Sequence, residues 1–266
     1  MDLSRLDEFT LWLQIRAIER STAQGYTTGA RDYIRFCLQH NIPIDPTPST
    51  LARYVAYTSR FIASGPKYLT GVRHYLIGFY PEFDKSREDP RVKAAIRGSR
   101  KVRADPVRRK LPLRTSHLKS FLNTYHTSGK YDDLLFVTIL SCGFYGCHRT
   151  GELVQKNDKS LFDWKKIIKR ASLTFHDGRA QYHLPYHKAD PFYRGTDILH
   201  TTQLIADPVT LLQKYTALRD SHHGARSALF LCEDGSHPTR SWFDGKFFAL
   251  LDRSFGGHSL RAGGAT

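Results

Sequence analysis

Residues 171–194 read ASLTFHDGRAQYHLPYHKADPFYR, and here the periodicity of the chain changes. The runs 171–176 and 181–186 read as two strands. Between them stands Asp177-Gly178, a pair suited to the left-handed backbone of a two-residue hairpin turn. Tyr182, Leu184 and Tyr186 fall on one face of the second run, where core or groove packing is their expected role. Lys188 lies just past this strand, in the turn before a third short strand over 195–200. The stretch predicts a small sheet inside a chain that is otherwise helical.

Outward from the sheet the period returns to that of helices. Asp207-Pro208 opens one with Val209, Leu212, Tyr215 and Leu218 inward. Another is expected over 241–254, and two precede the sheet, near 115–126 and 131–145. Residues 1–98 read as a helical bundle. Ser21 and Gln24 make a capping-box pattern ahead of a run that puts Tyr26, Ala30, Tyr33, Ile34, Cys37 and Leu38 on one face. A second helix carries Leu51, Tyr54, Val55, Thr58, Phe61 and Ile62 and stops at Gly65-Pro66. A third carries Tyr68, Val72, Tyr75, Leu76 and Phe79 and stops before Pro81. Asp89-Pro90 starts a short basic helix through Arg97. The expected fold class is mainly α with a small β-sheet (α+β), in two domains, 1–98 and 113–266.

Residues 99–112, SRKVRADPVRRKLP, join them. Arg100, Lys101, Arg103, Arg108, Arg109 and Lys110 stand against a single acid, Asp105, and two prolines interrupt regular structure. The segment is either a solvated tether or a strap that tracks a phosphate backbone between two domains gripping opposite faces of a duplex.

Forty Lys+Arg oppose 25 Asp+Glu among 266 residues, a net charge of +15. Such a cation favours a polyanion, because each phosphate neutralised releases condensed counterions. Double-stranded DNA is the first candidate partner. RNA or an anionic membrane surface rests on charge alone, and no stretch is long and apolar enough to span a bilayer. Cys37, Cys142, Cys147 and Cys232 are widely spaced, with no CxxC pair and no secretory signal, which points to an intracellular protein with thiols used as small apolar groups.

Three segments carry chemistry. In GFYGCHRTGELV, residues 143–154, Arg149 and Glu152 are three apart, so on a helix the carboxylate holds the guanidinium, which can fork onto a phosphate. In YHKADPFYR, residues 186–194, Lys188 can swing its ammonium into a groove as a general acid. In GGHSLRAGGAT, residues 256–266, His258 and Arg261 are again three apart, and the glycines on both sides allow close approach to a ligand. Each alone has a bland reading as well: a surface salt bridge, a solvated turn lysine, a structural pair.

Taken in order, Arg-x-x-Glu-Leu on a helix, a lysine in a β-turn and a late His-x-x-Arg resemble the tyrosine recombinases, the phage-integrase and site-specific recombinase family. The helical N-terminal domain resembles that family's core-binding domain. The wording DPRVKAAIRGSRKV and HSLRAGGAT is similar to recombinase-like proteins of eukaryotic mobile elements, which implies the nucleus. The resemblance implies a cofactor-free, metal-free phosphoryl transfer through a 3′-phosphotyrosyl link. By position Arg149 and Arg261 match the arginine clamp, Lys188 the acid that protonates the leaving 5′-oxygen, and His258 the histidine on the phosphate. Glu152 matches the acid that orients the first arginine.

The sequence departs from the family pattern at Ala262, where many members have histidine. It also ends at Thr266, ahead of the family's nucleophilic tyrosine and last helices. No nucleophile is therefore assigned in the chain; Tyr145, Tyr182, Tyr186 and Tyr193 lie near the motifs but are not expected to substitute, and Tyr182 and Tyr186 are expected to pack instead. Enzyme activity is expected only if the chain continues downstream, and self-assembly on DNA is an expectation weakened by the missing helices. The other class is a DNA-binding module without chemistry, such as a domesticated regulator or recombination inhibitor. His183 and His187, Cys142, Cys147 and His148, and His222-His223 make no standard metal pattern, and no nucleotide-binding glycine loop is present.

Overall fold

The computed structural model describes residues 2–103, 109–190 and 192–266; Arg108, one of the basic residues singled out above, lies outside them. The chain divides into two compact units, Met1–Val107 and Arg108–Thr266.

The first unit is helical: α1 (Leu3–Arg16), α2 (Arg20–Gln39), α3 (Pro48–Ser59), α4 (Gly65–Leu76), α5 (Phe83–Glu88) and α6 (Pro90–Arg103). Tyr33, Phe36 and Cys37 of α2 meet Leu51, Tyr54 and Val55 of α3, with Leu69, Val72, Phe83 and Val92 completing the core. The inward face of α2 sits slightly out of the expected phase. Phe36 is buried, whereas Leu38 is 70% exposed. The helix also starts ahead of Ser21, with Glu19 at its cap and no side-chain cap bond. Gly65-Pro66, read as a stop, instead opens α4, because proline fits the first turn of a helix where no N–H partner is needed. The basic helix α6 runs past Arg97 to Arg103, so regular structure extends into the segment read as linker.

The second unit contains α7 (Thr115–Tyr125), α8 (Tyr131–Tyr145), α9 (Thr150–Leu153), β1 (Thr174–His176), β2 (Arg179–Leu184), β3 (Thr196–Thr201), α10 (Pro208–His223), α11 (Arg240–Phe247) and α12 (Ser259–Gly264). The fold is thus mainly helical with one small sheet, as the sequence predicts. The strands pair antiparallel in the order β1-β2-β3. Asp177 and Gly178 both adopt positive φ, 45° and 72°, as a two-residue turn of the primed type requires. The second strand begins earlier than expected and ends before Pro185, and 170–172 form a 3-10 turn instead of strand. The predicted helix over 241–254 closes at Phe247.

Helix α8 is buried along most of its length and is apolar all round, which makes it the axis of this unit. Helices α7, α10 and α12 pack against it. The seat of α12 is set by two glycines. A Cβ at Gly264 would lie 1.8 Å from the Phe144 carbonyl oxygen, and one at Gly263 would lie 2.4 Å from that of Leu113. These two glycines serve the packing of α12. Gly264→Ala should therefore destabilise the unit by roughly 1–3 kcal/mol or more through overpacking. Gly151→Ala, where nothing lies within 4 Å, should be neutral or slightly stabilising. Denaturant unfolding of the two variants side by side checks this.

Candidate functional site

The site begins at the C-terminal end of α8. Cys147 donates its N–H to the Phe144 carbonyl (3.1 Å) and His148 donates its N–H to that of Gly143 (2.9 Å). This is the paired bonding of a Schellman stop, and Cys147 supplies its left-handed residue with φ 51°. The reversal sends consecutive side chains in opposite directions. His148 goes into the core at 1% exposure, and Arg149 stays at the surface, 33% exposed. Arg149 has extended backbone and caps the single turn α9, which places Glu152 back beneath it.

Glu152 is 9% exposed and accepts three hydrogen bonds. They come from the Arg149 backbone N–H (3.0 Å), the Arg149 guanidinium Nη1 (3.0 Å) and the His148 ring Nδ1 (3.3 Å). Burial alone would raise the carboxyl's pKa; the bonds from His148 and Arg149 outweigh it and hold the group below its ordinary value. Glu152 is therefore an anion that fixes Arg149 and leaves guanidinium N–H groups for an incoming oxyanion.

The His258 turn is fastened to the same place. Thr150 Oγ1 donates to the Gly257 carbonyl (3.2 Å). Ser259 Oγ accepts from the Gly256 N–H (2.9 Å), and the Ser259 carbonyl accepts from the Leu113 N–H (3.0 Å). Leu260 is buried in the core near Gly143 and Leu153, while His258 and Arg261 are exposed. The structure thus joins Arg149 to Glu152 directly and ties their turn to the segment carrying His258 and Arg261. Lys188 sits on the β2–β3 loop, exposed, in a turn closed by Asp190, which accepts from the Gly195 and Phe192 N–H groups. Among the described residues no bond links Lys188 to the other four.

Two of the linker cations are engaged by main chain. Arg103 donates to the Ser59 carbonyl (3.1 Å) in the first unit. Lys110 donates to the Arg253 carbonyl in the second, and its stem lies against Gly256. Arg100, Lys101 and Arg109 are exposed.

Sequence reasoning missed two features. Arg240, held by Asp244 (2.8 Å), lies against Gly257; a Cβ there would meet its Nη1 at 2.6 Å. His148 contacts Tyr182, whose hydroxyl lies 2.7 Å from His148 Nε2 and 3.3 Å from His200 Nε2. Of the tyrosines near the motifs, Tyr182 is fully buried, Tyr145 donates to the Ile205 carbonyl and Tyr193 donates to Asp163. The alternation of β2 flagged Tyr182 as inward, but nothing local marked its partners. Among the described residues no group of His, Cys, Asp and Glu could hold a metal ion, and no helix is long and apolar enough to cross a membrane.

No protein-family model matches the chain, and no curated protein does. Among solved structures it is similar to the XerH site-specific recombinase bound to difH substrate, in a pre-cleavage complex. The identity is 19% and the TM-score 0.49, over 82% of this chain and 58% of that one. The chain therefore spans 58% of the length of that recombinase.

Burial of His200 lowers its pKa from 6.5 to about 4, with the neighbouring His148 acting in the same direction. Its neutral form is the folded form, so the unfolded chain binds a proton first as pH falls. Stability from this group should be complete above pH 6.5 and should drop by on the order of 3 kcal/mol by about pH 4. His200→Phe should remove this part of the slope in urea unfolding measured across that window; an unchanged slope would refute the assignment.

Proposed function

We propose that this chain binds duplex DNA and stabilises the charge that develops on a backbone phosphate during strand breakage and rejoining, in the manner of the tyrosine recombinases that its sequence resembles. The observation that carries the reading is the fastening of two cationic elements to one another. Arg149 is fixed by a buried carboxylate, and the bond from Thr150 to Gly257 holds the His258–Arg261 segment beside it. Preorganised N–H donors aimed at an oxyanion are what phosphoryl transfer demands, since little else is left for the protein to supply.

In this reading a phenol, having lost its proton to solvent, attacks phosphorus as the phenolate and the 5′-oxygen leaves. Arg149 and Arg261 bind the non-bridging oxygens, His258 donates to one of them, and Lys188 protonates the leaving oxygen. Rejoining reverses each step: the 5′-hydroxyl gives its proton to Lys188, the new P–O bond forms and the phenolate departs. The helical first unit serves as a core-binding domain, and Arg100, Lys101 and Arg109 contact phosphate. A eukaryotic mobile element, with action in the nucleus and self-assembly on DNA, is the proposed setting.

The position of Lys188, with no bond to the other four residues among those described, favours the second reading, a DNA-binding module without chemistry. A joining reaction separates the two. A nicked duplex pool carries a 3′-nitrophenyl phosphate beside a free 5′-hydroxyl, so the phenolic leaving group is on the DNA. Strand transfer predicts release of nitrophenolate with ligation, lowered roughly 10²–10³-fold by Arg149→Ala or Arg261→Ala. Affinity should fall much less. Binding without joining across the pool would leave the module. In both readings affinity should weaken by roughly 10³-fold or more between about 50 and 200 mM salt, measured by fluorescence anisotropy. A flat salt dependence would remove DNA as the partner.

A further inference from the structure

Behind Glu152 a line of side chains runs into the core of the second unit. His148 Nδ1 lies 3.3 Å from Glu152 Oε2, and His148 Nε2 lies 2.7 Å from the Tyr182 hydroxyl, which lies 3.3 Å from His200 Nε2. The three residues are 1%, 0% and 2% exposed. They come from separate places in the chain: the turn after α8, β2 and β3.

The carboxylate at one end fixes the first bond of the line. Glu152 as a carboxylate only accepts, so His148 donates from Nδ1. With the Tyr182 O–H directed at His148 Nε2, the Tyr182 oxygen accepts from His200 Nε2–H. In this arrangement each ring is held in one tautomer. Rotation is also hindered. His148 and Tyr182 stack with centroids 5.9 Å apart, and Tyr182 tilts against His200 at 5.4 Å. The imidazole of His148 lies over bare backbone, since a Cβ at Gly146 would meet its Nε2 at 2.8 Å. Replacing buried polar groups with apolar side chains of similar volume is often neutral or stabilising, so stability alone does not account for three satisfied polar groups here.

We propose that His148, Tyr182 and His200 are positioning residues that lock the orientation of Glu152 and, through it, the guanidinium of Arg149. They do not touch the phosphate. Their effect is to have the Arg149 donors already aimed before DNA arrives. The catalytic part of the inference rests on the reading of Arg149 given above; the positioning part stands on the free chain and is tested there.

The test uses nitrogen-labelled histidine and arginine in the whole chain, read by NMR. The expected result is His148 with its proton on Nδ1, His200 with its proton on Nε2, and Arg149 Nη protons shielded from exchange with water. Tyr182→Phe keeps the ring and removes the hydroxyl, and should speed that exchange roughly 10-fold. Tyr215→Phe is the control: it removes another fully buried hydroxyl, one bonded to the carbonyls of Leu229 and Leu231. It should leave Arg149 unaffected. His148→Leu should behave like Tyr182→Phe, and His148→Asn, whose amide can replace the Nδ1 donor, should recover part of the protection. Unchanged exchange in Tyr182→Phe, or an equal effect from Tyr215→Phe, overturns the proposal. In the joining reaction Tyr182→Phe should slow the single-turnover rate roughly 10-fold with affinity nearly unchanged. An unaltered rate overturns the catalytic part. A wild-type chain that shows the protected Arg149 donors yet joins nothing overturns the reading of the site and supports the positioning chain.

Discussion

A carboxylate nearly withdrawn from water stays ionised only if N–H groups replace the water it has lost, and Glu152 meets that requirement with donors from both Arg149 and His148. Much of the second unit is arranged around this need. The Schellman stop after α8 turns His148 inward so that its ring can serve the carboxylate. The same reversal leaves Arg149 at the surface, where the charge of Glu152 can hold it without burying it. The sheet closes the arrangement from behind through Tyr182 and His200. A salt bridge in open solvent contributes little to stability or order, because two flexible side chains must be immobilised against water and salt. Here the acid is fixed first, and the arginine inherits the order.

What was legible in the sequence was what local chemistry decides. Asp177-Gly178 specifies its turn from two adjacent residues, and Asp207 caps α10 with its own carboxylate, accepting from the Val209 and Thr210 N–H groups. The pairing of Arg149 with Glu152 follows from a spacing of three. The illegible parts depend on residues far apart. His148 was weighed only as a metal ligand, because its partners Tyr182 and His200 stand on β2 and β3. Arg240 was invisible because its relation to Gly257 arises only when α11 and the His258 turn come together. Leu38 looked inward because a twenty-residue helix drifts against a simple count, and burial settles the phase on Phe36 and Cys37. The glycines of the last segment were recognised as permitting close approach, but sequence does not say what approaches.

Part of the basic charge is committed to the fold. A net charge of +15 suggests a surface given over to phosphate. Arg103 and Lys110 nevertheless bond main-chain carbonyls, and Arg170 and Arg219 both bond Asp220. Composition counts cations without knowing which are committed to the fold. The exposed Arg100, Lys101 and Arg109 are a smaller set than the sequence offered.

The paired glycines of α12 also act as a gauge. At Gly264 no side chain separates α12 from the Phe144 carbonyl at the end of α8, so the spacing at that point is set by backbone touching backbone. Side chains can change rotamer; carbonyl against Cα has no such freedom. Since a displacement of about 1 Å can cost a reacting site two orders of magnitude in rate, an empty position can regulate reach as firmly as any filled one.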